Sequence, residues 1–222
     1  MDFMKILKSL EEFLYEVMAW LVFYPRTMWL AVRRPLRMMD YADTELLDRT
    51  AERYTDTLSP PLFLVLTIIL SHGLELALVG QSGLVTGTAG LSSLISDDTN
   101  LIIFRAICFS LYPLMMALLL LRRQGAKLDR DTLRPPFYSQ CYVTAPFALM
   151  TSIVSMMIGH ADPWLRLSAA AIMLVVIAWY LTIQTHWFAQ HLGTTKLRAF
   201  PTAFGAYVLA LLSLGAMTPL FA

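Results

Sequence analysis

Charge is what this sequence has least of. Only 15% of its 222 residues are Asp, Glu, Lys or Arg, where a soluble domain carries about 25%. The shortage is also uneven. Of 17 basic and 16 acidic side chains, 18 lie before residue 58. The chain beyond that point has too few polar groups to cover a water-facing surface, which excludes a soluble globular enzyme and a disordered chain. A net charge of +1 gives phosphate backbones little to hold, so no nucleic-acid partner is expected. Cysteine is scarce too. Cys108 and Cys141 both fall in apolar runs, which fits buried structural thiols and excludes a disulfide framework. No Cys-x-x-Cys or His-Glu-x-x-His occurs, so neither a metal nor any other cofactor is expected. Gly-x-Ser-x-Gly and Walker-type glycine loops are likewise missing, and the chain reads as a non-enzyme.

What is present is apolar length. Hydrophobic residues make up 57% of the chain and its mean hydropathy is +0.60. A hydrocarbon core about 30 Å thick needs roughly 20 apolar helical residues. Five segments qualify: residues 60–80, 101–121, 137–159, 164–183 and 200–221. The expected fold is all-α: a polytopic bundle of five transmembrane helices preceded by a cytoplasmic and interfacial portion, residues 1–59.

Basic residues set the orientation. Residues 1–59 hold eight Lys and Arg, the 122–136 loop holds five, and the loop before the fifth span holds Lys196 and Arg198. The loops at 81–100 and 160–163 hold none. The positive-inside rule then puts the N-terminus inside and the C-terminus outside. Residues 81–100 are semi-apolar, and re-entry into the outer leaflet stays open for them.

From Phe3 to Phe23 apolar residues recur at helical spacing (Phe3, Ile6, Leu7, Leu10, Phe13, Leu14, Val17, Met18, Leu21), with Lys5, Lys8, Glu11, Glu12 and Glu16 opposite. This is the pattern of an amphipathic helix in the membrane interface, with Trp20 and Tyr24 at headgroup depth. A sixth span through residues 14–32 would bury Glu16, Pro25 and Arg26. A cleaved signal peptide is excluded because Glu11, Glu12 and Glu16 interrupt any apolar core. Pro25 and Pro35 are expected to break the chain, and residues 44–58 (TELLDRTAERYTDTL) read as a second short helix.

Ionisable groups at bilayer depth are costly. In the first span Thr67, Ser71 and Glu75 are spaced by four with His72 beside them, a polar stripe that should face other helices. Arg105 of the second span lies at nearly the same depth as Glu75, so the two can pair. Two readings stand: a structural ion pair, or a protonatable group on an ion path with His72 as neighbour. Pro113 and Pro146 lie inside the second and third spans, where each removes a backbone hydrogen bond and kinks the helix. Small and soft residues in the third span (Thr151, Ser152, Ser155, Met156, Met157) suit close helix contact. His186 and His191 are spaced by five, poor for two ligands from one helix face; with Trp187 they read as an interfacial belt.

The order of features resembles a family. A Tyr-Pro…Arg-Pro stretch (YPRTMWLAVRRP, 24–35) precedes five spans. The third opens YSQCYVTAPFALM (138–150), and the fourth leads through HWFAQHLGTTKLRAF (186–200) into the last. This resembles bacterial members of the Ypt-interacting (YIP) family, loosely called permeases. The resemblance implies a five-span helical bundle with a role in membrane organisation or partner binding, and it carries no catalytic residues. The Asp-Leu-Tyr-Gly-Pro signature of eukaryotic members is missing, so no Rab-GTPase binding is implied. The leading expectation is a membrane protein working through the lipid bilayer and a protein partner on the cytoplasmic side. The alternative is a channel or permease for a small ion or solute. With five spans and no inverted repeat, that alternative requires a homo-oligomer.

Overall fold

The computed structural model describes residues 2–46, 54–80, 98–160 and 162–217. Among these residues there are seven helices: α1 (Asp2–Arg33), α2 (Pro35–Glu45), α3 (Pro60–Val79), α4 (Asp98–Gln124), α5 (Arg130–Ile158), α6 (Pro163–His191) and α7 (Lys196–Met217). Five of them, α3 to α7, are long and apolar enough to cross a membrane. The protein is therefore an all-α helical membrane bundle.

Local chemistry sets the ends of these helices. Pro60 and Pro61 open α3, where the missing N–H groups would have had no partner. Gly80 closes it at φ 84°, a left-handed turn that costs a side chain strain. Asp129 caps α5 by accepting from the amides of Asp131 and Thr132, while the Thr132 hydroxyl accepts from the Asp129 amide at 3.1 Å. Asp162 caps α6 through the Trp164 amide at 2.9 Å, with Pro163 at the first helical position.

α5 is the centre of the bundle, packing against α2, α3, α4 and α6, while α7 closes the far side against α4 and α6. Where α4, α5, α6 and α7 meet, Phe147 stacks on Tyr180 with ring centroids 4.4 Å apart, and Tyr112 and Tyr207 complete an aromatic cluster. α7 approaches closely because Ala199, Ala203, Ala206 and Ala210, spaced by four, three and four, are all fully buried. The small-residue face is therefore on α7. Of the small and soft residues expected to serve in the third span, Ser155 is exposed, Thr151, Ser152, Met156 and Met157 are half-buried, and the Thr151 and Ser155 hydroxyls bond to their own helix.

The N-terminal portion differs from expectation in two ways. Pro25 does not break the chain, and α1 runs through it to Arg33. The ring's fixed φ is compatible with a helix and only one backbone bond is lost, while packing on both sides of the proline holds the helix straight on. Trp20, Phe23, Tyr24 and Met28 all lie against the core formed by Phe63, Ile68, Cys141 and Tyr142. The second short helix expected at 44–58 falls in part on residues 47–53, outside those described, and a short helix, α2, precedes it. α2 begins at Pro35, a favoured first helical residue, and ends at Glu45, while residues 54–57 form a turn. Pro35 is thus a start signal for α2. The residues between 46 and 54 lie outside those described, as does the segment 81–97 considered for re-entry.

Candidate functional site

Two polar groupings interrupt the apolar interior. The first is the stripe on α3. Thr67, Ser71 and His72 are buried, and Glu75 and Arg105 are about 15% exposed. Arg105 Nη2 and Glu75 Oε2 form a close ion pair, with His72 Nδ1 3.9 Å from the same carboxylate oxygen. The structure thus brings Glu75, Arg105 and His72 together. Thr67 and Ser71 sit one to two turns lower and do not touch the pair. Their hydroxyls donate to the Phe63 and Ile68 carbonyls at 2.7 and 2.8 Å. Thr67 also accepts from the Tyr24 hydroxyl at 3.2 Å, which fastens α1 to α3.

The second grouping joins α5 and α6. Gln184 Nε2 donates to Gln140 Oε1 at 2.5 Å, with both side chains fully buried. Thr144 and Tyr180 lie beside this amide pair. Next to Gln140, the Ser139 hydroxyl donates to Asp43 of α2 at 2.5 Å. Burial pushes the Asp43 carboxyl above its ordinary range, while Ser139 and the nearby His191 pull the other way. This grouping escapes a search of the sequence for charge. The usable signal was two uncharged amides, Gln140 and Gln184, at corresponding depth in adjacent apolar helices.

The turn before α3 is clipped at several points. Asp56 accepts from Arg26 at 2.9 Å and from Tyr41 at 2.8 Å. The Tyr142 hydroxyl donates to the Leu58 carbonyl at 2.8 Å, and the Leu58 amide donates to Thr27 at 3.2 Å. These bonds anchor α1 and α2 to the base of α3 and α5.

The aromatic and histidine residues expected at the interface divide. Trp20 and Tyr24 are half-buried against the α3–α5 core. Trp187 is fully buried, its ring 3.9 Å from that of His191, and this corrects the reading of it as part of an outward-facing belt. Its apolar ring fills the α5–α6–α7 core with Phe188, which is worth more than a place at the edge. His191 Nδ1 contacts the Trp187 carbonyl at 3.0 Å and His186 Nδ1 the Thr182 carbonyl at 2.8 Å. Pro113 and Pro146 both lie within continuous helices, α4 and α5. Among the described residues, no three His, Cys, Asp or Glu side chains gather as metal ligands.

Comparison with family models, curated proteins and solved structures gives no match to this chain.

Proposed function

We propose that this is a non-enzymatic protein of the bacterial inner membrane, YIP-like in role, which organises the membrane by laying α1 into the cytoplasmic interface. One observation carries the reading. Residues 4–16 of α1 are all exposed, including Met4 at 71% and Phe13 at 57%, whereas the helix from Trp20 onward is fastened to the bundle. Leu7, Leu10, Leu14, Met18 and Leu21 continue the uncovered apolar face. Five spans hold the root of α1 beside a bilayer, and the interface is the apolar phase within its reach. The free segment is about 20 Å long at 1.5 Å per residue, enough to lie flat among headgroups. The channel reading has less support, because Glu75 is paired with Arg105 in the manner of a structural contact.

The test is an environment-sensitive fluorophore on Leu10→Cys, in a Cys108→Ser, Cys141→Ala background, with the protein in phospholipid nanodiscs. Emission should shift to the blue relative to a water-exposed control at Lys127→Cys. Adding Phe13→Asp should reverse much of that shift. Water-like emission at Leu10→Cys in the bilayer would overturn the interfacial reading and leave the apolar face to a protein partner.

A further inference from the structure

A cavity of about 430 Å³ opens where the end of α1 and the start of α2 meet α6. Its lining is mostly apolar and is built from Arg33, Arg34, Pro35, Leu36 and Arg37 on one side and Thr182, Ile183 and His186 on the other, so three arginines border it. Among the described residues no carboxylate pairs with any of the three arginines. Arg33 is instead held over the Trp29 ring, 4.6 Å from its centroid, an arrangement that fixes a guanidinium without neutralising it. Arg34 caps α2 without a side-chain bond to its first turn, so the positive end of the α2 dipole adds to the same field.

Three unneutralised cations against an apolar wall define the chemistry of the occupant: an anion, doubly hydrogen-bonding in geometry, attached to something greasy. A phosphate group fits the planar fork of arginine. His186 commits Nδ1 to the Thr182 carbonyl, which leaves Nε2 as its remaining polar atom. Ile183 is buried and Leu36 half-buried, so the floor of the cavity belongs to the core of α2 and α6. The depth also fits. At 29 residues, α6 is about 43 Å long, about 13 Å more than the hydrocarbon thickness. With the apolar run 164–183 crossing the hydrocarbon, the end of α6 from Ile183 onward stands at headgroup level. The volume is within the range that holds a small ligand, sufficient for a glycerophosphate headgroup.

We infer that the Arg33–Arg34–Arg37 cavity between α1, α2 and α6 is a binding site for the phosphate headgroup of an anionic phospholipid. The lipid's glycerol would face Thr182 and Ile183, and its acyl chains would run along α6. Basic pockets between membrane helices at the cytoplasmic surface recognise such headgroups by this combination of charge and depth. The site does not depend on what covers the free half of α1.

The test follows thermal unfolding of the purified full-length protein in mild detergent with added phosphatidylglycerol, phosphatidylcholine or inorganic phosphate. Phosphatidylglycerol should raise the Tm in a saturable way. The Arg34→Gln/Arg37→Gln variant should need about thirtyfold more of that lipid for half the effect, at roughly 1 kcal/mol per arginine near a charged surface. Arg122→Gln/Arg123→Gln removes the same charge from the end of α4, at residues that do not line the cavity, and should respond like wild type. Equal stabilisation by phosphatidylcholine would overturn the proposal. So would an equal loss in both double variants, which would mean a diffuse surface attraction. Inorganic phosphate matching the lipid would reassign the cavity to the free ion and overturn the lipid reading. All these residues are exposed, and unchanged melting without lipid is the check that the variants fold.

Discussion

Glu75 and Arg105 show what one charge requires of another at bilayer depth. Each is about 15% exposed, so neither can rely on water, and the pair survives because its members neutralise each other. Removing one partner strands the second, which costs about 3–5 kcal/mol, whereas removing both charges costs far less. Arg105→Ala should therefore destabilise the protein strongly. Adding Glu75→Gln should restore most of the loss, as read by denaturation in mixed micelles. If single and double variants unfold alike, the coupling between the two side chains is absent. This contact was legible in the sequence, because a lone carboxylate and a lone guanidinium at equal depth in neighbouring spans have little choice of partner. Gln140 and Gln184 were not legible in the same way. A neutral amide does not announce itself against Ser, Thr and Cys neighbours, and its partner is fixed only by how α5 and α6 rotate. Trp187 was misread because an aromatic near the end of an apolar run serves equally well at a headgroup belt or in a core. Rotation about the helix axis decides between them.

At the scale of whole helices, the apolar runs located every span, yet their ends were less legible than their centres. Hydropathy marks the slab of hydrocarbon, not the helix that crosses it. α5 therefore begins seven residues before the expected 137, at Arg130, and α6 continues eight beyond the expected 183, to His191. Those extensions are capped by Asp129 and held by packing, neither of which an apolar window records. α2 escaped notice for a related reason: Pro35 can close one helix or open the next, and here it opens α2, which packs on α5. The amide pair Gln140–Gln184 makes the α5–α6 contact specific, and its energetics separate register from stability. Gln184→Leu leaves the buried Gln140 Oε1 on α5 without its donor, at a cost of about 1–3 kcal/mol. Gln140→Leu/Gln184→Leu removes both polar groups and should return to near wild-type stability. Unfolding of the two variants in parallel decides it, and a double variant less stable than either single one would contradict the account.

The two ends of the molecule are unequal, and this asymmetry is its main whole-molecule property. One end carries the roots of α1 and α2, the clipped turn at residues 54–58, the extended starts and finishes of α5 and α6, and the arginine cavity. Arg122, Arg123, Arg130, Arg134, Lys196 and Arg198 join that end through the helices that bear them, and Lys127 through the loop between α4 and α5. At the other end α5 passes to α6 through only four residues, 159–162, among which there is no basic side chain but His160. Translocating the cationic end across a membrane would be far more costly than translocating the end with few basic residues, which is the physical content of the positive-inside rule. Orientation then follows as a prediction. In a Cys108→Ser, Cys141→Ala background, a membrane-impermeant maleimide added to intact cells should label His160→Cys. It should leave Lys127→Cys unmodified until the membrane is opened; both positions are exposed. The reverse pattern would place α1 and the arginine cavity on the outer face, away from the anionic lipid of the cytoplasmic leaflet. The interfacial role of α1 and the headgroup site would then each have to be argued for a different surface.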